Sequence, residues 1–205
     1  GLPVKKIYIN KSFIKELLKN TPDSTKKWKQ AFYLNEDETH DSIKVRLKGD
    51  NPGNWLFEKK HWRIKTKKNK LIKRQREFEY IPFDFQIYLS GKIANSLGLL
   101  SPNFKPVELF INNESQGTYI ESEILNESFL RRKKIMPVNL YKGEQILAET
   151  IIQLENNLFN SPSALKKLAH FNQVDINDKS DLIYLFDLFQ LSQNDNSKYL
   201  DLLEA

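Results

Sequence analysis

Apolar and basic residues alternate one for one along residues 43–47 and 62–65. Ile43, Val45 and Leu47 fall on one side, with Lys44 and Arg46 on the other, and Trp62 and Ile64 alternate with Arg63 and Lys65. Period two marks a half-buried strand. The two runs flank Gly49-Asp50-Asn51-Pro52-Gly53-Asn54, a cluster of turn formers. The pattern is strand, loop, strand, with cations on the open face. The same alternation predicts strands over 4–9, 29–34, 104–112 and 117–123, the last two paired antiparallel through Asn112-Asn113, since Asn tolerates left-handed backbone. Residues 73–80 are charged and read as a strand or an extended connector, and 140–143 as a brief strand or turn.

Helical spacing takes over elsewhere. Ser12 reads as an N-cap before Phe13, Ile14, Leu17 and Leu18. Pro82 opens a helix through Phe85, Tyr88, Leu89, Ile93 and Leu97, with Gly98 at the C′ position. Residues 126–132 form a short helix. Beyond about residue 144 the pattern turns helical over 146–159, over 163–171 behind Ser161-Pro162, and over 181–191. Sheet-rich sequence first and helix-rich sequence second predict an α+β protein, divided into 1–144 and 145–205.

Composition narrows the chemistry. The 205-residue chain has no cysteine, so disulfides, thiolate metal sites and a thiol nucleophile are excluded. No window approaches the ~18 apolar residues of a membrane span. The net charge of +6 is concentrated: between Lys44 and Arg76 thirteen cations face only Asp50 and Glu58. Such a block attracts phosphates or acidic partners. Trp55, Phe57 and Trp62 are interleaved with it, which is also how single-stranded nucleic-acid binders look. The plain alternative is a solvated sheet face. Three isolated histidines have no carboxylate at ligand spacing.

The blocks VRLKGD (45–50) and KKHWRIK (59–65), followed by GLLSPNFKPVELFINNESQGTYIESEIL (98–125), resemble in order the blocks of the spore-coat protein H (CotH) kinase-like family. The resemblance implies an atypical protein-kinase-like fold, with a sheet-rich N-lobe over 1–144 and the helical start of a C-lobe after it. It implies ATP and Mg²⁺ as cofactors, phosphoryl transfer to a protein substrate in the complete domain, and a possible coat or envelope protein as partner. For phosphate contact it points to Arg46, Lys48, Lys60, Arg63 and Lys65, with Lys48 and Lys65 on the family's basic positions. Glu123 falls on the family's closing glutamate, the expected carboxylate for a lysine, with Lys65 first in line. Glu121 shares its parity.

Two departures accompany the resemblance. Where the family carries an Arg-Asn pair near the start of its central helix, this chain has Gln86 and Ile87. The family's late D-x-D segment has no counterpart here, and Asp195-Asn196 with Tyr199 is the one loose match to its catalytic-loop region. Three readings stay open: a kinase completed by sequence beyond Ala205, a noncatalytic kinase-like module that binds proteins, and a basic nucleic-acid binder.

Overall fold

The computed structural model describes residues 1–19, 21–35, 37–48, 52–67, 69–72, 75–136, 138–143, 165–169 and 177–193, with Pro162, Asp195, Lys198 and Asp201. The chain is α+β and divides into two compact units, Gly1–Phe129 and Leu130–Ala205. In the first unit the strands are β1 (Val4–Ile9), β2 (Lys29–Leu34), β3 (His40–Leu47), β4 (Trp62–Thr66), β5 (Glu77–Pro82), β6 (Phe104–Ile111) and β7 (Glu114–Glu123). Helices α1 (Lys11–Lys19), α2 (Gly53–Leu56) and α3 (Phe85–Ser96) connect them, and α4 (Glu127–Arg132) follows.

The seven strands close into a barrel in the order β1-β2-β3-β4-β5-β7-β6. Every neighbouring pair is antiparallel except the closing one, where β1 runs parallel to β6 with Val4 opposite Glu108 and Ile7 opposite Ile111. The expected pairings of 43–47 with 62–65, and of β6 with β7 through the Asn112-Asn113 turn, are both present, and both Asn residues have positive φ. The family resemblance implies a small N-lobe sheet, and the structure closes it into a barrel.

Alternation decides what fills the barrel. Ile7, Ile9, Tyr33, Ile43, Val45, Leu47, Ile64, Phe78, Tyr80, Val107, Leu109 and Tyr119 all point inward and are buried. Leu17 of α1 joins this core, with Phe13 and Ile14 packed against it. The α1 cap is Asn10 rather than Ser12: the Asn10 Oδ1 accepts from the Ser12 N–H at 2.9 Å and from its hydroxyl at 2.7 Å. A side-chain carbonyl ahead of the first turn reaches both donors, so the start moves upstream.

Pro82 likewise ends a strand instead of opening a helix. It closes β5 opposite Tyr119, and α3 begins at Phe85 behind Asp84, whose carboxylate accepts from the Ile87 N–H at 3.0 Å. The predicted C′ glycine is in place. Gly98 has φ +75°, its N–H bonds the Asn95 carbonyl and the Leu99 N–H bonds the Ala94 carbonyl. This is the paired hydrogen bonding of a Schellman end.

In the second unit, β8 (Leu140–Gly143) pairs antiparallel with β9 (Leu165–Ala169), and α5 spans Ser180–Ser192. The expectation of a helix over 163–171 is therefore corrected. Helical spacing of leucines there yields to backbone pairing with β8, a case of tertiary context overriding local pattern. Residues 146–159 lie outside the described residues. Among the described residues no helix is long and apolar enough to cross a membrane.

Gly91 in α3 sits against the Phe104 ring, where a Cβ would meet ring carbons at 2.0 and 2.3 Å. Gly91→Ala gains about 1 kcal/mol of helix propensity, but the overpacking costs roughly 1–3 kcal/mol. The expected result is a lower urea midpoint for Gly91→Ala. In a Phe104→Ala background the same change is stabilising, so the two substitutions are non-additive.

Candidate functional site

The outward face of β3 and β4 carries the cations that the alternation predicts. Lys44 lies opposite Lys65 and Arg46 opposite Arg63 on adjacent strands. Like charges placed directly across a strand pair repel, so this face needs counter-charge. The next strand supplies it. Glu77 lies opposite Lys65 and bonds its ammonium at 2.7 Å through Oε1, while its Oε2 accepts from the Arg63 guanidinium at 3.2 Å. Glu79, nearly buried, holds the Lys48 ammonium at 2.8 Å.

These two glutamates were missed in the sequence. The signal was there: Glu77 and Glu79 alternate with Phe78 and Tyr80 and share the parity of Arg63 and Lys65 once the β4–β5 register is known. Without that register, a charged run next to Lys73 and Arg74 reads equally well as a connector.

The expected Lys65–Glu123 contact is corrected by the pleat. Glu123 lies opposite Phe78, and Glu121 opposite Tyr80, both on the barrel's inner parity, whereas Lys65 points outward. Glu123 accepts from the Gln75 amide at 3.0 Å and from the Asn103 N–H at 3.3 Å. Glu121 accepts from the Tyr80 hydroxyl at 3.1 Å and lies 3.8 Å from the ammonium of Lys5, which is buried inside the barrel wall.

The other candidates are spread more widely. Arg46 donates to the Thr25 carbonyl at 2.9 Å and stacks 5.1 Å from the centre of the Trp28 ring, which Lys65 also approaches, at 5.6 Å. Lys60 turns back to the Phe57 carbonyl and so covers the end of α2. Gln86 and Ile87 form the first turn of α3, where the Ile87 N–H is taken by the Asp84 cap. Asp195, in the second unit, continues the turn after α5, its N–H on the Leu191 carbonyl. Asn196 and Tyr199 lie outside the described residues. Lys48, Arg63 and Lys65 thus form one group with Glu77 and Glu79, with Arg46 beside it. Lys60, Glu123 and Asp195 are not in that group of contacts.

Burial and neighbours set the protonation of this group. Burial alone would raise the pKa of Glu77, but the hydrogen bond and charge of Lys65, with Arg63, hold it below the usual carboxylate value. His61 precedes β4, its carbonyl accepting from the Lys48 N–H and its N–H bound to the Asn54 carbonyl. Burial, reinforced by the Lys48 charge, lowers its pKa to about 4, and its Nδ1 is buried with no hydrogen-bond partner among the described residues.

The imidazole is therefore neutral at neutral pH. An unfolded chain takes up this proton near pH 6.5, the folded chain only near pH 4, so folding stability falls as pH drops through that window. Glu77 adds to the loss further down, below its unfolded value of 4.5, as its carboxylate protonates. The denaturation midpoint is expected to fall between pH 6.5 and about 4, and His61→Gln is expected to flatten that fall. Urea titrations across the window check it, and equal slopes for both proteins would contradict it.

Among the described residues no group of three or more His, Asp and Glu side chains could hold a metal ion. A search of the curated proteins returned no match. A family model described as CotH kinase protein matches residues 45–204, from the middle of β3 to beyond α5. That span carries Lys48, Arg63 and Lys65 together with their two glutamates, and covers well over half of the sequence: the chain belongs to the CotH kinase protein family.

Proposed function

We propose that this chain forms the nucleotide-holding part of a kinase-like domain that transfers a phosphoryl group from ATP to a protein. In this reading Lys48, Arg63 and Lys65 meet the phosphates, and Arg46 flanks them. The observation that carries it is the cation group on Glu77. One carboxylate holds both the Lys65 ammonium and the Arg63 guanidinium, at 2.7 and 3.2 Å. Kinase catalysis relies chiefly on positioning and charge, and a lysine steadied by a glutamate is one of its recurring parts. Lys60 contributes if it leaves the Phe57 carbonyl, Glu123 steadies the end of β7, and Asp195 is the candidate acid of the second unit.

Mg²⁺, where bound, would supply charge that offsets that of the nucleotide phosphates. The described residues do not assemble a set of acidic ligands, so no residue is assigned to the metal. A second reading, a noncatalytic kinase-like module for a coat or envelope protein, is favoured by the same ion pairs: Glu77 and Glu79 already neutralise much of the charge that a triphosphate would need.

Calorimetric titration with ATP, with and without Mg²⁺, separates the two. ATP is expected to bind weakly, and Lys65→Ala to weaken binding roughly tenfold, the size of one lost charge-assisted hydrogen bond. Phosphate release by this chain is expected to stay at the blank rate. Absence of any ATP binding leaves the noncatalytic module.

A further inference from the structure

Beside the ion-paired group, the outward face of β2, β3 and β4 forms a groove of about 340 Å³. Its cations are Lys44, Lys65, Lys67 and Arg76, and Trp28 makes a wall. Among the described residues no carboxylate lines it. Lys65 is shared with Glu77, but among the described residues no ion pair engages Lys44, Lys67 or Arg76. The Arg76 Nε is buried there without a hydrogen-bond partner among the described residues. On the floor, the Gln30 amide donates to the Ser42 hydroxyl at 2.5 Å. Trp28, Gln30, Ser42 and Lys44 all precede residue 45, where the family match begins.

We propose that this groove binds the phosphorylated side chain of a protein segment laid across the sheet. Lys44, Lys67 and Arg76 line one groove of about 340 Å³ beside Lys65, so the complementary ligand is one that concentrates negative charge, as a phosphate monoester does and a row of carboxylates does not. A guanidinium beside ammonium groups is the usual chemistry of phosphopeptide capture. A nucleic-acid strand would need successive stacking platforms. The groove has one ring, since Trp62 lies inside the barrel and Trp55 packs against its core. The Trp28 ring, already engaged by Arg46 and Lys65, is a wall for the apolar part of the side chain. The inference rests on the proposed function only for the source of the segment, a protein that has received a phosphoryl group.

The test is fluorescence anisotropy of one labelled tyrosine peptide, phosphorylated or not, on the whole chain. The phosphorylated form is expected to bind at least about tenfold tighter, and Lys44→Ala and Lys67→Ala each to reduce that preference several-fold. Both side chains are exposed, so these variants keep the fold. Lys48→Ala, which belongs to the nucleotide group, is expected to leave peptide binding unchanged while lowering ATP affinity. The two proposals therefore fail separately. Equal binding of the two peptides overturns this one, as does a loss in Lys48→Ala with none in Lys44→Ala. Displacement by a single-stranded oligonucleotide at lower concentration than the phosphopeptide itself also overturns it.

Discussion

The parallel seam between β1 and β6 turns an open sheet into a closed wall, and the rest of the first unit depends on it. Val4 to Ile7 pair with Glu108 to Ile111. Just past the seam the Asn112 side chain stands in for another strand residue. Its Oδ1 accepts from the Ile9 N–H and its Nδ2 donates to the Ile9 carbonyl, both at 2.8 Å. Left-handed backbone at Asn112 aims that amide, a conformation Asn adopts at small cost. With the seam closed, the inward rows of all seven strands share one core, and the barrel presents no free edge.

Closure also decides where charge can go. Every second residue of β3, β4 and β5 must face out, and the sequence places lysine and arginine in the rows of β3 and β4 and glutamate in that of β5. Cross-strand Lys44–Lys65 and Arg46–Arg63 pairs work against folding. Glu77, Glu79, the Thr25 carbonyl and the Trp28 ring each relieve part of that repulsion. That relief comes from two stretches of chain, β5 and residues 25–28.

Strands were legible in the sequence wherever one face is buried and the other wet. β1, β2, the β3–β4 pair and the β6–β7 hairpin all follow from period-two alternation and turn residues. Errors came where local and distant preferences disagree. Asn10 outcompetes Ser12 because caps are decided by reach. Pro82 sits at the end of β5, and the leucines of 163–171 are drawn into pairing with β8. The barrel's seam has no local signature, since it joins residues about a hundred positions apart. The basic candidates were legible as a set, yet their carboxylates were not. Lys65 and Glu123 have the right signs, but only the register shows that they lie on opposite faces, and that Glu77 takes the place assigned to Glu123.

The seam has a consequence for how the protein is made. During synthesis β1 emerges first, while its parallel partner β6 and the Asn112 amide emerge about a hundred residues later. Until then β1 can pair with β2 on one side only, leaving a strand edge open on the nascent chain, and such edges template association. Long-range pairing of this kind also slows folding. Lys5 and Lys6 lie between Val4 and Ile7 on this strand. A charge on the waiting edge discourages another chain from adding to it, and in the closed barrel the Lys5 ammonium lies buried 3.8 Å from Glu121 of β7.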